Sequence, residues 1–418
     1  MANLYETKEL EEKVILVGVN TGELSDMEES LEELEELVKT AGAVTVGKVI
    51  QNLERTNTAT YVGSGKVSEI AELMEELEAT GIVCDDELTP AQMKNLEEQL
   101  GTKVMDRTLV ILEIFAQRAN TKEGKIQVEL AQLQYRSSRL VGLRNSLSRL
   151  GGGIGTKGPG EKKLEMDRRI IRERITQLSK ELEEVKKNRE VQRQLRQNKQ
   201  MPVVCIAGYT NAGKSTLLNC LTDAGVLEEN KLFATLDPTT RNLTLPKGQN
   251  ILITDTVGFI RKLPHHLIKA FRSTLEEAKY SDMILHVVDC SNPQMDKQMQ
   301  SVYETFRQLG VEDKPILTIF NKIDRVDEDI ILKDEKAECT MKISAKEKIG
   351  IEDCLNTIEE ELTKQHCYIE CICPYDKAHI IQHIRKYGQL LEEDYRENGI
   401  FIRGHMPREM EHYLLEIQ

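Results

Sequence analysis

Residues Gly208 to Ser215 read G-Y-T-N-A-G-K-S and follow directly on the apolar, β-prone run Val203 to Ala207. A strand that turns through glycines into a helix aims successive backbone N–H groups, and the positive end of the helix, at one point in front of the turn. That geometry suits a phosphate and calls for a strand feeding a helix in an α/β, doubly wound sheet. Gly208, Tyr209, Thr210, Asn211, Ala212 and Gly213 are the expected cradle. Lys214 is placed to reach β- and γ-phosphate oxygens, and the Ser215 hydroxyl to ligate Mg2+. A nucleoside triphosphate is the implied ligand. The alternative is a glycine-rich turn with no chemistry, and the downstream segments bear against it.

Asn321-Lys322-Ile323-Asp324 closes the apolar run Ile316 to Phe320. A carboxylate at the base edge accepts from both N1–H and the 2-amino group of guanine, whereas adenine presents an acceptor at N1 and leaves Asp324 unpaired. An unpaired buried carboxylate costs several kcal/mol, so guanine is the expected base. Asn321 is expected on the N7/O6 side and Lys322 over the ring. Ser344-Ala345-Lys346, after the run Met341 to Ile343, would close over the base with backbone N–H groups.

Asp255-Thr256-Val257-Gly258 follows the run Ile251 to Thr254. Asp255 is expected to hold Mg2+ through water and the Gly258 N–H to meet a γ-phosphate, so that the turn senses hydrolysis. Between this turn and the phosphate loop lies Phe233-Ala234-Thr235-Leu236-Asp237-Pro238, where Thr235 is the expected second protein ligand to the metal. Thr239 and Thr240 are competitors by spacing. The residue after Gly258 is Phe259, where many GTPases carry a glutamine that orients the attacking water. A phenyl ring makes no such hydrogen bond, so slow intrinsic hydrolysis is expected, with no catalytic side chain assigned. Asn211 is a candidate K+ ligand near the phosphates; its alternative role is to tolerate a turn.

G-Y-T-N-A-G-K-S-T, L-F-A-T-L-D-P-T, D-T-V-G-F-I-R, N-K-I-D and, upstream, G-G-G-I-G-T-K-G-P-G-E together resemble the HflX-type GTPases over nearly the whole chain. The resemblance implies hydrolysis of GTP to GDP and phosphate, binding to the large ribosomal subunit, and splitting of stalled or idle ribosomes. After the glycines the chain reads Glu161-Lys162-Lys163, where that family more often follows the glutamate with threonine and glutamine. A ribosome-assembly factor, or a regulatory protein-binding switch, would share the GTPase motifs.

The net charge of −14 sits awkwardly with RNA binding until its distribution is read. Residues 1–135 carry 12 Lys+Arg against 27 Asp+Glu, whereas residues 136–199 carry 18 against 8. One basic arm on an acidic protein is the footprint of an oriented contact with phosphates. A solvated helix of mixed charge is the alternative for Lys180 to Arg196. Ile126 to Leu150 and Lys163 to Asn198 read as long helices, with Ile171, Ile175, Leu178, Leu182 and Val185 as an apolar stripe. They would form a hairpin tipped by Gly151 to Gly160, a stretch with six glycines, one lysine and no acid. The resemblance implies that this hairpin reaches ribosomal RNA.

The expected architecture has four parts. Residues 1–120 form an α/β domain, with strands near Val14 to Val17, Val44 to Ile50, Gly81 to Cys84 and Lys103 to Met105. Residues 121–199 form the basic helical hairpin, 200–365 the doubly wound P-loop GTPase domain, and 366–418 a small α+β module. Tyr61 to Lys66 is expected to cap a helix at Val67 rather than bind a nucleotide, and Thr89 to N-cap the next. The module is expected to hold a strand from Cys367, a helix about Ala378 to Leu390, strands through Gly399 to Arg403 and a final helix from Pro407. Cys367, Ile369, Cys371 and Cys373 alternate as one face of a buried strand, a reading favoured over a zinc site. Nine cysteines spread over 418 residues suggest reduced thiols. The expected protein is a cytoplasmic monomer without a membrane span.

Overall fold

The computed structural model describes residues 11–22, 24–147, 159–197, 201–222, 232–233, 235–246, 248–264, 267, 277–311, 314–326, 332–387 and 389–407. The chain divides into two compact units. The first comprises Met1–Glu183 with Lys231–Phe233 and Lys262–Phe271; the second comprises Glu184–Asn230, Ala234–Arg261 and Arg272–Gln418.

In the first unit, strands β1 (Lys13–Asn20), β2 (Val44–Asn52), β3 (Gly81–Cys84) and β4 (Lys103–Asp106) alternate with helices α1 (Leu24–Ala41), α2 (Ser64–Glu76), α3 (Pro90–Leu100) and α4 (Arg107–Arg118). The sheet is parallel in the order β2-β1-β3-β4. Val14 to Val17 and Ile82 to Cys84 are buried without a break, as a strand covered on both faces requires. Thr89 caps α3 in a full capping box with Gln92. Helix α2 starts at Ser64 behind Gly63 rather than at Val67, so the Gly63–Lys66 stretch is the opening of a helix. Tyr61, with φ of 67°, is buried and its hydroxyl donates to Asp86 at 2.7 Å. Those contacts agree with a structural role for this stretch.

Helices α5 (Lys122–Leu147) and α6 (Pro159–Gln197) follow. Arg174 of α6 pairs with Glu129 of α5 through two hydrogen bonds of 2.8 and 3.0 Å, at positions nearly symmetric about the connection, as an antiparallel hairpin needs. Leu178 and Leu182 of the stripe are buried. Helix α6 begins four residues earlier than the expected Lys163, because proline at the first helical position has its φ already set and loses no hydrogen bond there. The rest of the glycine tip, Gly151 to Gly158, lies outside the described residues.

The second unit holds a six-stranded sheet. Its strands are β5 (Val203–Gly208), β6 (Thr239–Thr244), β7 (Asn250–Asp255), β8 (Met283–Asp289), β9 (Ile316–Asn321) and β10 (Cys339–Lys342), in the order β10-β9-β8-β5-β7-β6. All neighbours are parallel except β6 with β7. Helices α7 (Lys214–Thr222), α8 (Glu277–Tyr280), α9 (Met295–Leu309) and α10 (Ile351–Gln365) accompany it. Leu217, Leu218, Leu285, Ile319, Ile343 and Ile358 belong to one buried cluster, each stabilising by roughly 1.5–3 kcal/mol. Strands β11 (His366–Cys373), β12 (Gln389–Arg396) and β13 (Gly399–Pro407) make an antiparallel sheet in the order β11-β13-β12, with helix α11 (Ala378–Tyr387) packed on it.

One expectation for this module is corrected, and another, a final helix from Pro407, falls on residues that are not described. Leu390 lies in β12, not at the end of a helix, because pairing with Gly404 of β13 and packing on the Ile380–Ile402 cluster outweigh local helical propensity. The chain at Pro407 ends a strand, and residues beyond it lie outside the described ones. Ile369 and Cys373 are buried on one face of β11, as their alternation implied. Among the described residues no group of histidine, cysteine and carboxylate side chains could hold a metal ion, and no helix is long and apolar enough to cross a membrane. Among the described residues eight cysteines are free thiols, including the buried Cys84, Cys205 and Cys354.

Candidate nucleotide site

The site lies at the carboxyl ends of β5, β7 and β9, where the loops of a parallel sheet converge. Gly208 ends β5, and a Cβ there would sit 2.2 Å from the carbonyl oxygen of Val287 on the neighbouring strand, so only glycine lets the strands approach. Asn211 has φ of 60° and Gly213 φ of 94°, which turn the loop back toward α7. A Cβ on Gly213 would meet the Asn321 Nδ2 at 2.2 Å. The loop is drawn tightly onto β9.

Lys214 opens α7, is buried, and donates from Nζ to the Tyr209 carbonyl at 2.7 Å. Burial pushes its ammonium down to about 8 despite the nearby Asp255 carboxylate. Lys214 thus stands ready for an anion.

Beside it three oxygens close on one another. Ser215 Oγ lies 2.9 Å from Thr235 Oγ1 and 2.9 Å from Asp255 Oδ2, and Thr235 Oγ1 donates to the same carboxylate oxygen at 3.0 Å. Asp255 is fully buried, and burial raises its carboxyl above the ordinary range against the pull of Lys214. Its Oδ1 has no hydrogen-bond partner among the described residues. Hard oxygen donors around a buried carboxylate with one unpaired oxygen fit a divalent cation such as Mg2+. Of the competing threonines, Thr240 is paired with Thr254 at 3.0 Å and Thr239 begins β6, whereas Thr235 alone joins Ser215 and Asp255.

The Asp255–Gly258 turn is tied to the loop. Thr256 Oγ1 donates to Ile206 O at 2.7 Å, Phe259 N to Gly208 O at 3.1 Å, and Thr210 N to Phe259 O at 2.8 Å. The Arg261 N–H donates to the Tyr209 hydroxyl at 2.7 Å. Val257 is buried, and a Cβ on Gly258 would come within 2.9 Å of Lys214 Nζ. The Phe259 ring is buried edge-on against Phe306 at 5.6 Å, so it faces the core. Phe233 and Leu236 are buried, Asp237 is half-buried, and Ala234 lies outside the described residues.

At the base end Asn321 is buried, and its amide joins two loops: Nδ2 donates to Ala212 O at 2.9 Å and Oδ1 accepts from Ala345 N at 3.0 Å. Lys322, with φ of 69°, donates to Asn211 O at 2.8 Å and to Asp289 at 2.6 Å. Asp324, in the short helical turn Ile323–Arg325, accepts from Ser344 Oγ at 2.6 Å, and that hydrogen bond holds its carboxyl below the ordinary carboxylate value. Ser344 is fully buried, Ala345 is buried, and Lys346 is exposed. Asp289 was not foreseen, although an acid closing the apolar run of β8 is itself a signal of a strand-end site.

Three family models match this sequence: GTP-binding GTPase N-terminal over residues 28–116, GTP-binding GTPase Middle Region over 118–196, and 50S ribosome-binding GTPase over 203–322. A protein named GTPase HflX from Lacrimispora saccharolytica is 66% identical over 98% of this chain and 97% of its own length. The chain belongs to the HflX GTPase family. HflX relatives from Caldanaerobacter subterraneus and Escherichia coli are 49% and 40% identical, covering 96% and 86% of this chain and 93% and 85% of theirs. The protein is accordingly a GTPase, an enzyme that hydrolyses GTP to GDP and phosphate.

Proposed function

We propose that this GTPase binds the large ribosomal subunit in its GTP form and separates stalled or idle ribosomes, with hydrolysis ending the engagement. The observation that carries the nucleotide half is the meeting of Ser215, Thr235 and the buried Asp255 carboxylate, one of whose oxygens is unpaired, beside Lys214. Ser215 and Thr235 would ligate Mg2+ directly and Asp255 through water; the bound ion neutralises phosphate charge. Gly208 to Gly213 cradle the phosphates, and Asp324, held ionised by Ser344, selects guanine. Asn321 acts chiefly by locking the Ala212 and Ala345 loops. With the Phe259 ring turned into the core, no side chain of the Gly258 turn orients the attacking water. Slow basal turnover, raised by the partner, follows. Asn211 is the proposed K+ ligand, so turnover in KCl should exceed that in NaCl at equal ionic strength; equal rates would dismiss the role.

The ribosomal half rests on the match to a 50S ribosome-binding GTPase model and on the basic surplus in residues 136–199. Lys and Arg of the hairpin would contact RNA phosphates in the cytoplasm, and the protein would act as a monomer. Sedimentation with ribosomal subunits and with intact ribosomes, under a GTP analogue, GDP and no nucleotide, tests this. The expected result is analogue-dependent binding to the large subunit and loss of intact ribosomes. Shortening Gly151 to Gly160 to a tight turn should remove binding and leave GTP affinity in place; retained binding would defeat the RNA-contact role.

A further inference from the structure

Beyond nucleotide contact, the structure shows what holds the segments flanking it. In a parallel sheet of order β2-β1-β3-β4, ligands are received where the strand order reverses, at the carboxyl ends of β1 and β3. Asp85 stands there: its N–H donates to Val17 O at 2.9 Å and its side chain is fully buried. Ser30 Oγ donates to Asp85 Oδ2 at 2.7 Å, and Arg107, itself buried, donates to Oδ1 at 2.7 Å and also pairs with Glu33. The crevice takes one further cation. Lys262 reaches Asp85 Oδ2 and donates to Asp86 Oδ1 at 2.8 Å. Burial works to raise the Asp85 carboxyl, and Arg107 and Lys262 together bring it below its ordinary value.

Lys262 is the fourth residue after Gly258 and belongs, with Lys262–Phe271, to the first compact unit. Its φ of 53° is unusual for a residue with a Cβ, a conformation kept only where surroundings insist on it. Phe233, two residues before Thr235, also belongs to that unit, with φ of 55° and its ring edge-on to Phe115 of α4 at 4.8 Å. Withdrawing Lys262 takes one of two cations from the buried Asp85 carboxylate and leaves Asp86 to its hydrogen bond from Tyr61, and removing a charge partner from a buried carboxylate is unfavourable.

We propose that Lys262 is a positioning residue: seated between the Asp85 and Asp86 carboxylates, it holds the Asp255–Gly258 turn preorganised for a γ-phosphate. This rests on the nucleotide-site reading above. A turn already fixed gives up less conformational freedom on binding, so the seat favours triphosphate over diphosphate, whose β-phosphate and base contacts do not involve the turn. Coupling is reciprocal: a bound triphosphate stabilises Lys262 in the crevice and so the first unit around it.

The test uses the full chain with Mg2+, titrated with a non-hydrolysable GTP analogue and with GDP. Lys262→Met should weaken the analogue about fivefold and leave GDP within about twofold. Asp86→Asn, which keeps an acceptor for Tyr61 and removes the charge, should shift the ratio in the same direction. Lys262→Arg should restore the wild-type ratio. A wild-type ratio in Lys262→Met, or equal losses for both ligands, would overturn the proposal. A wild-type chain that bound neither nucleotide would instead overturn the site reading beneath it.

Discussion

Asn321 uses both ends of its amide on the protein, joining the phosphate loop at Ala212 to the turn at Ala345. Its neighbour Asp324, the group proposed to read the base, is oriented by one hydroxyl that holds its carboxyl below the ordinary value. This division of labour makes Asp324 the residue to alter for specificity. Asp324→Asn turns an acceptor pair into an acceptor and a donor, which mismatches guanine N1–H and the 2-amino group and matches the 2-oxo group of xanthine. Affinity for GTP should fall by about a hundredfold or more, xanthosine triphosphate should gain, and folding should persist. Competition binding with the two triphosphates measures it, and unchanged preference would remove Asp324 from the base site. At this scale the sequence was most legible where a short motif marks a change of element: Lys214 and Ser215 open the helix after the glycine turn, Asp255 ends β7 and Asp324 lies in the turn after β9. What spacing could not reveal was partnership at long range. Nothing around Phe233 announces Phe115, and nothing around Lys262 announces Asp85, because each pairing exists only once separate segments have folded together.

Among elements, Asp334 is a junction. Its Oδ2 accepts from Tyr303 of α9 at 2.6 Å and from Thr318 of β9 at 2.7 Å, and the Lys336 N–H donates to Oδ1 at 3.0 Å. His286 of β8 lies 3.8 Å away, too far for a hydrogen bond, and its burial keeps it neutral by lowering it. Burial works to raise the Asp334 carboxyl, but these neighbours outweigh it and hold it far below the ordinary value. A depressed carboxyl contributes stability that is complete above the unfolded value near pH 4 and is lost as pH falls through the folded one. Asp334→Ala should cost about 3 kcal/mol at pH 7, with the deficit shrinking as pH drops below about 4. Urea unfolding at several pH values reads it, and a deficit independent of pH would refute the charge assignment. The elements were read well from the sequence where apolar runs met strong punctuation, as at Gly81–Cys84 and at Thr89-Pro90. They were misread at Pro159, taken for loop although it starts a helix, and at Leu390, whose strand depends on cross-strand partners that no local window contains.

The whole molecule joins sheets of different kinds: a parallel four-stranded sheet in one unit, and in the other a mainly parallel six-stranded sheet followed by an antiparallel three-stranded one. The sequence indicated this series through its alternation of apolar runs and helical stripes, while the allotment of Lys231–Phe233 and Lys262–Phe271 to the first unit was hidden. Each unit has its own sulfur at depth. Cys84 ends β3 in one, while Cys205 in β5 and Cys354 in α10 lie in the other, and burial pushes Cys354 up to about 12 and the other two well above their ordinary value. A thiol so placed is inert to alkylating reagents until its surroundings open. Peptide-resolved alkylation over time should therefore find these three sites slower than Cys220, Cys339 and Cys371, with saturating guanine nucleotide retarding Cys205 more than Cys84; equal retardation would mean that the units open as one. The protein thus carries, without any added label, a separate chemical clock for each of its halves.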